Sequence, residues 1–228
     1  MTNRKTEIAK NLADLNLRIA TACEQSNRNP SEITTIAITK TWPTSDIEIL
    51  YDLGLRNFGE SKDQEAFKKF EELSDRNIEW HFVGQIQSNK INHIASYADF
   101  VHSVDRIKIV ENFENALSKN GRKINALIQV SLDGDESRGG VYPDEISAIA
   151  KAISNSVHLN LGGLMAVAPL TQSAEVAFSK LAEIAADFQK EFPSAQMISA
   201  GMSEDLEIAI KYGATHLRIG SDLLGKRE

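Results

Sequence analysis

Apolar and polar positions follow two periods along this chain, and the switches between them divide it into short units. Over residues 5–27 the apolar positions Ile8, Leu12, Leu15, Ile19 and Cys23 recur at helical spacing with polar residues between them, which predicts an amphipathic helix ended by Pro30-Ser31. Strand-like runs rich in β-branched and aromatic residues follow at 33–40, 57–60, 79–84, 100–105, 124–132, 159–167, 196–201 and 216–220. Helical patterns separate them at 45–54, 63–73, 88–96, 106–119, 144–154, 173–191 and 203–212. Several of these open on a Ser or Asp suited to capping, and Gly54 and Gly213 stand where a helix ends in the left-handed conformation.

Eight strands alternating with helices predict a parallel sheet, and eight is the number that closes a barrel. The expected fold is therefore α/β, a single (β/α)8 TIM barrel over residues 1–228 with an extra N-terminal helix. The usual helix after the last strand is missing from the pattern, and the N-terminal helix is placed to cover that gap. A doubly wound open sheet is the rival fold; against it, nothing marks a sheet edge and no Gly-rich dinucleotide turn follows the first strand. No linker, low-complexity tract or sequence repeat divides the chain.

Charge and cysteine usage narrow the partners. The 228 residues carry a net charge of −7 with no basic run, which argues against nucleic acid and anionic membrane surfaces. An anionic ligand then needs a local site of backbone N–H groups and a few chosen cations. The lone Cys23 allows no disulfide within the chain and falls on the apolar stripe, so burial is expected for it. The start, MTNRKTEIAK, has no signal-peptide core and no apolar run reaches the length of a membrane span, so a cytoplasmic protein is expected.

Barrel enzymes carry their reacting groups at the C-terminal ends of strands, with phosphate sites commonly after strands 7 and 8. Here those ends hold Lys40, Glu60-Ser61, Gly201-Met202-Ser203 and Arg218-Ile219-Gly220-Ser221. Lys40 alternates onto the face of Ile36 and Ile38; an amine in low dielectric is held more in its neutral form, which attacks an aldehyde. A solvated lysine at a strand end is the plainer reading of position alone. In 216–220 the outward positions fit Leu217 and Ile219, which sends Arg218 inward, toward an anion or an internal salt bridge with Glu60 or Asp105. Ser203 fits an N-cap of the seventh barrel helix, and its loop and Gly220-Ser221 both offer N–H groups to an anion. Together these describe a phosphate cup with a lysine across the barrel mouth.

Other motifs carry less. Residues 220–227 nearly match a P-loop, but Arg227 stands where the Mg²⁺-binding hydroxyl belongs and no helix is expected after it. Residues 133–137 mimic the start of a calcium loop, yet Arg138 sits at the glycine position. The five histidines lack metal-ligand spacing, and no metal site is expected. His81, between Trp80 and Phe82, reads as a core or site-lining residue, and Met165 as core.

At these residues the sequence resembles the pyridoxal phosphate homeostasis protein family, single-domain relatives of the alanine racemase barrel. The resemblance runs through AITKTWP (37–43), RNFGES (56–61), EWHFVGQIQSNKI (79–91), HSVDR (102–106), LIQVSL (127–132), GGLMAVAP (162–169), SAGMSEDLEIAI (199–210) and HLRIGSDLLGKR (216–227). It implies that Lys40 holds pyridoxal 5′-phosphate (PLP) as an internal aldimine. It further implies that Ser203, Gly220 and Ser221, with the Met202 backbone, hold the phosphate, and that Arg218 faces the pyridine nitrogen. Ser61 takes the place of a cofactor-lining Asn, Trp42 that of a second lysine, Arg138 that of a loop lysine and Ser221 that of a Thr. The expected function is a monomeric PLP carrier in vitamin B6 homeostasis, with little or no turnover and with PLP-dependent apo-enzymes as recipients. A racemase of narrow scope, with His81 as a conceivable second base, is the alternative. A class I aldolase-like Schiff-base enzyme is a third reading.

Overall fold

In a computed structural model describing residues 3–225, α1 (Arg4–Gln25) precedes eight strand–helix units. These run β1 (Thr34–Ile38), α2 (Thr44–Asp52), β2 (Asn57–Glu60), α3 (Asp63–Glu72), β3 (Glu79–Phe82), α4 (Ile91–Tyr97), β4 (Phe100–Val104) and α5 (Ile107–Leu117). They continue with β5 (Ile124–Gln129), α6 (Ile146–Ser154), β6 (Leu159–Met165), α7 (Ala174–Glu191), β7 (Met197–Ser199), α8 (Leu206–Lys211), β8 (His216–Ile219) and α9 (Ser221–Leu224). All neighbouring strands pair in parallel, and β8 closes on β1 in the register Ile36 opposite Arg218, so the sheet is a closed barrel in chain order.

Strand alternation sorts the side chains into two layers. Trp80 and Phe82 point out into the layer between sheet and helices, while Phe100, Leu127 and Met165 form a smaller cluster apart from it, within the barrel. Gly59 makes room for β1: a Cβ there would lie 2.5 Å from Ile38 Cδ1, so the β1 isoleucines fill the space that β2 leaves.

The N-terminal helix closes the helical ring as expected. Asn3 caps α1 by accepting from Lys5 N, and Ile8, Leu12, Leu15, Ile19 and Cys23 are buried along its stripe. Arg4 bridges to Asp46 of α2 and to the Leu224 carbonyl, while Arg18 pairs with Glu207 of α8 and with Asp222 of α9. Burial raises the Cys23 thiol above its ordinary range.

Several expectations shift. The last strand is followed by a helix after all, the single turn α9. The near P-loop residues Lys226 and Arg227 lie outside the described residues. The hydrogen-bonded strands stop short of the apolar runs, at Ile38, Gln129 and Met165; past β1 and β6 the runs continue as loop residues lining the barrel mouth, Lys40 and Val167 among them. Of the expected Ser and Asp caps Ser173 acts as one, accepting from Val176 N; α2, α3, α4, α6 and α8 have no side-chain cap. Asp63 lies inside α3, where it binds His93.

Candidate functional site

One cavity of about 850 Å³ opens where the loops after β1, β2, β3, β6, β7 and β8 converge. All seven residues expected to hold a cofactor line it: Lys40, Ser61, Met202, Ser203, Arg218, Gly220 and Ser221. Trp42 and Met165 also reach it, and the Arg4 guanidinium sits 4.8 Å over the Trp42 ring.

Lys40 stands two residues past the end of β1, on a turn gripped from both sides. Thr39 N donates to Gly59 O at 3.1 Å and Thr39 Oγ1 to Glu60 Oε1 at 2.7 Å. Thr41 holds the left-handed φ of 70° and donates its N–H to the Glu65 carboxylate. Beneath the turn lies Lys69, buried at 6% exposure, whose ammonium reaches Thr39 O at 2.8 Å and Glu60 Oε1 and Glu65 Oε1 at 2.7 Å each. Burial raises the Glu60 carboxyl above its ordinary range, and the Lys69 charge opposes that rise. Sequence reasoning missed Lys69. Its signal was faint, a lysine three residues after Ala66 on the buried stripe of α3.

Arg218 is turned inward as its alternation predicts, but it forms no salt bridge with Glu60 or Asp105. Nη1 donates to Ser199 O and Ser199 Oγ at 2.7 Å each, and Nη2 to Ala166 O at 2.8 Å. Glu60 is taken by Lys69, and Asp105 by Arg106. A guanidinium has five N–H groups, so two of them, Nε–H and one on Nη2, have no acceptor among the described residues. Burial pulls this group down to about 10, and it stays charged at neutral pH.

The loops after β7 and β8 meet on one side. Ser203 is not the cap of α8: Asp205 holds that position, and the Ser203 hydroxyl accepts from Asp222 N at 3.2 Å. Met202 N–H is committed to Asp205 Oδ1 at 2.6 Å. The backbone N–H groups of Ser203, Gly220 and Ser221 have no acceptor among the described residues, so they are ready for an anion. Arg18 fixes the loops from behind, donating to Ser203 O at 3.0 Å while it pairs with Asp222.

Ser61 depends on a glycine across the mouth. A Cβ on Gly84 would lie 2.1 Å from the Ser61 carbonyl oxygen, so Gly84→Ala must displace that peptide. Such overpacking costs about 1–3 kcal/mol. Urea unfolding is expected to show that loss, together with weaker ligand retention; unchanged values for both would mean that the Ser61 loop moves freely.

Other residues lie elsewhere. His81 is buried at 1% exposure with both ring nitrogens hydrogen-bonded, so it is not placed to serve as a base at the cavity. Arg138 links its own loop to the next, pairing with Asp133 and donating to Ala168 O at 3.0 Å. Among the described residues no three His, Cys, Asp or Glu side chains form a metal-binding group, and no helix is long and apolar enough to cross a membrane.

Comparison with known proteins agrees with this architecture. The family described as alanine racemase, N-terminal domain, matches residues 29–228. A Mycobacterium bovis protein named pyridoxal phosphate homeostasis protein is 38% identical, over 99% of this chain and 95% of its own length. The structure of a Bifidobacterium adolescentis protein of unknown role superposes with a TM-score of 0.90 at 29% identity, covering 98% of this chain and 97% of that one. PipY of Synechococcus elongatus, solved with PLP bound, superposes with a TM-score of 0.83 at 32% identity over 96% of this chain and 100% of its own.

Proposed function

Because the chain belongs to the pyridoxal phosphate homeostasis protein family, built on the alanine racemase N-terminal domain barrel, we propose that it binds PLP and serves intracellular PLP homeostasis. The reading rests on one observation: a primary amine, a buried guanidinium with two spare donors and three uncommitted backbone N–H groups line a single cavity. These donors suit the three parts of PLP. Lys40 holds it covalently as a Schiff base through Nζ. Ser203, Gly220 and Ser221 receive the phosphate on backbone N–H groups and two hydroxyls, with Met202 shaping the loop that carries Ser203. Arg218 donates to the pyridine nitrogen, and Ser61 lines the opposite wall.

PLP, when bound, supplies an aldehyde for amines and a ring able to withdraw electrons. The residues around it favour holding over turnover. A guanidinium that stays protonated leaves the facing ring nitrogen without a proton, which weakens the ring as an electron sink. Racemisation also needs a second acid–base group on the face opposite Lys40, and His81 is committed elsewhere. The function is therefore that of a cytoplasmic, monomeric carrier that buffers PLP and passes it to PLP-dependent apo-enzymes.

The test is the visible absorption of the purified protein before and after borohydride, followed by peptide mapping. A band that bleaches, with the phosphopyridoxyl mass on Lys40, is the expected result. A colourless protein that gains no band with added PLP would overturn the cofactor. Saturable amino-acid turnover abolished by Lys40→Ala would overturn the carrier role.

A further inference from the structure

Behind Arg218 a chain of hydrogen bonds crosses the barrel interior, unused by the binding contacts described above. Arg218 Nη1 lies 2.7 Å from Ser199 Oγ, which lies 2.9 Å from His102 Nδ1. His102 Nε2 lies 2.9 Å from His81 Nδ1, and His81 Nε2 lies 2.8 Å from Asn57 Oδ1. The members come from β8, β7, β4, β3 and β2, so the chain spans the barrel rather than following one strand pair. Ser199 and His102 are fully buried, and no water need be invoked to complete any link.

With both rings neutral, the acceptor at the Asn57 end fixes the direction of every link. An amide oxygen only accepts, so His81 carries its proton on Nε2 and gives it to Asn57 Oδ1, which leaves His81 Nδ1 as an acceptor. His102 then carries its proton on Nε2 and gives it to His81 Nδ1. The bare His102 Nδ1 accepts the Ser199 hydrogen, and Ser199 Oγ in turn accepts from the guanidinium, which only donates. The dipoles run head to tail, each with its negative end toward the guanidinium.

We propose that His102 and His81 are positioning residues for Arg218: they orient the Ser199 hydroxyl so that its lone pairs face the guanidinium and hold that cation at the cavity without a carboxylate against it. This inference rests on the cavity being a PLP site. A carboxylate partner would neutralise the guanidinium, whereas an aligned neutral chain stabilises it and leaves its charge and its two remaining N–H groups to the ligand.

The surroundings keep both rings neutral. Burial first, then the field of His216, drives His81 down to about 3. Burial, with the fields of His81, Arg218 and His216, holds His102 well below its ordinary value. Phe100 stacks on His81 with centroids 4.3 Å apart and covers its face. Asp205 is the carboxylate whose field reaches Arg218, but it spends an oxygen on Met202 N.

Two measurements test the inference. Long-range ¹H–¹⁵N NMR of the PLP-free protein should show His81 and His102 as neutral Nε2–H tautomers throughout pH 6–8. A Nδ1–H tautomer at either ring, or titration of either in that range, overturns the chain. Ser199→Ala, His102→Phe and the double variant are then loaded with PLP. Loss of one charge-assisted hydrogen bond corresponds to about tenfold or more. PLP is therefore expected to leave each variant about tenfold faster than the wild type, with a displaced absorption maximum and with the double variant no worse than the singles. Variants that melt earlier yet keep wild-type retention and spectrum would reduce the histidines to core filling. Should His102→Phe fail to fold, the smaller change Ser199→Ala decides. A wild-type protein that takes up no PLP fails the reading of the cavity; a wild type that loads, with variants that match it, fails this inference alone.

Discussion

Replacing Lys69 by methionine is expected to destabilise the PLP-free protein by about 3–5 kcal/mol, the usual cost of stranding one partner of a buried ion pair. The Lys69 ammonium satisfies Glu60, itself 1% exposed, and Glu65, and it ties down the carbonyl of Thr39 beside Lys40. A methionine fills the same volume but leaves Glu60 in the interior with Thr39 Oγ1 as its remaining partner on Oε1. The carboxyl then takes up a proton or stays charged without compensation, and both routes cost stability. The Lys40 turn loosens at the same time, because Thr39 O and the Glu65 carboxylate that receives Thr41 N–H lose their common anchor. Urea unfolding measures the first effect, and the rate of PLP uptake by the folded fraction measures the second. The double change Lys69→Met with Glu60→Gln removes both charges and should recover a large part of the stability without restoring uptake. A single variant as stable as the wild type would mean that water reaches Glu60 and that the turn is held by Gly59 and Glu65 alone.

Lys69 also shows where the sequence stops speaking. The order of eight strands and the ring-closing first helix were legible because hydrophobic period and turn residues report each element locally. The seven cavity residues were legible because the closed barrel fixes which strand ends converge, whatever the details of each loop. Lys69 was not, since a lysine on an amphipathic helix reads as solvated until the register of β2 sets Glu60 against it. The same holds for the histidine chain. Alternation places His81 inward between Trp80 and Phe82, but its meeting with His102 depends on the pairing of β3 with β4, in which His81 stands opposite Phe100. Arg218 was expected to find an anion or a carboxylate and found carbonyls, because the end of β6 brings Ala166 O within reach and β7 supplies Ser199. Ser203 shows the reverse case. A serine before a helix suggests a cap, but tertiary contact gives its hydroxyl to the next loop, and the helix starts later.

Acidification tests the neutral interior as a whole. Burial pulls His81 down to about 3 and His216 to about 4, and it holds His102 well below its ordinary value. Above the unfolded value of 6.5 these rings are neutral whether the chain is folded or not, so they contribute no pH dependence there. Below it the unfolded chain binds protons that the folded chain refuses, and each ring shifts the balance toward unfolding by about 1.4 kcal/mol per pH unit, until the pH nears its folded value. At about pH 5 that amounts to about 2 kcal/mol each for His81 and His216, about 4 kcal/mol for the two, and His102 adds to it in the same direction. Glu60, Asp99, Asp105 and Asp205 work in the opposite sense, because burial raises their values and the folded protein takes up their protons first. Their gain begins as the pH falls through those raised values and offsets part of the loss that the three histidines bring between pH 7 and pH 5. The urea midpoint of the PLP-free protein is therefore expected to fall across that interval. A flat profile would require either that the buried carboxylates cancel the histidines or that the buried rings accept protons while folded. A doubly protonated ring cannot accept from Ser199 or from its neighbour, so titration of the rings followed by NMR tells the two apart.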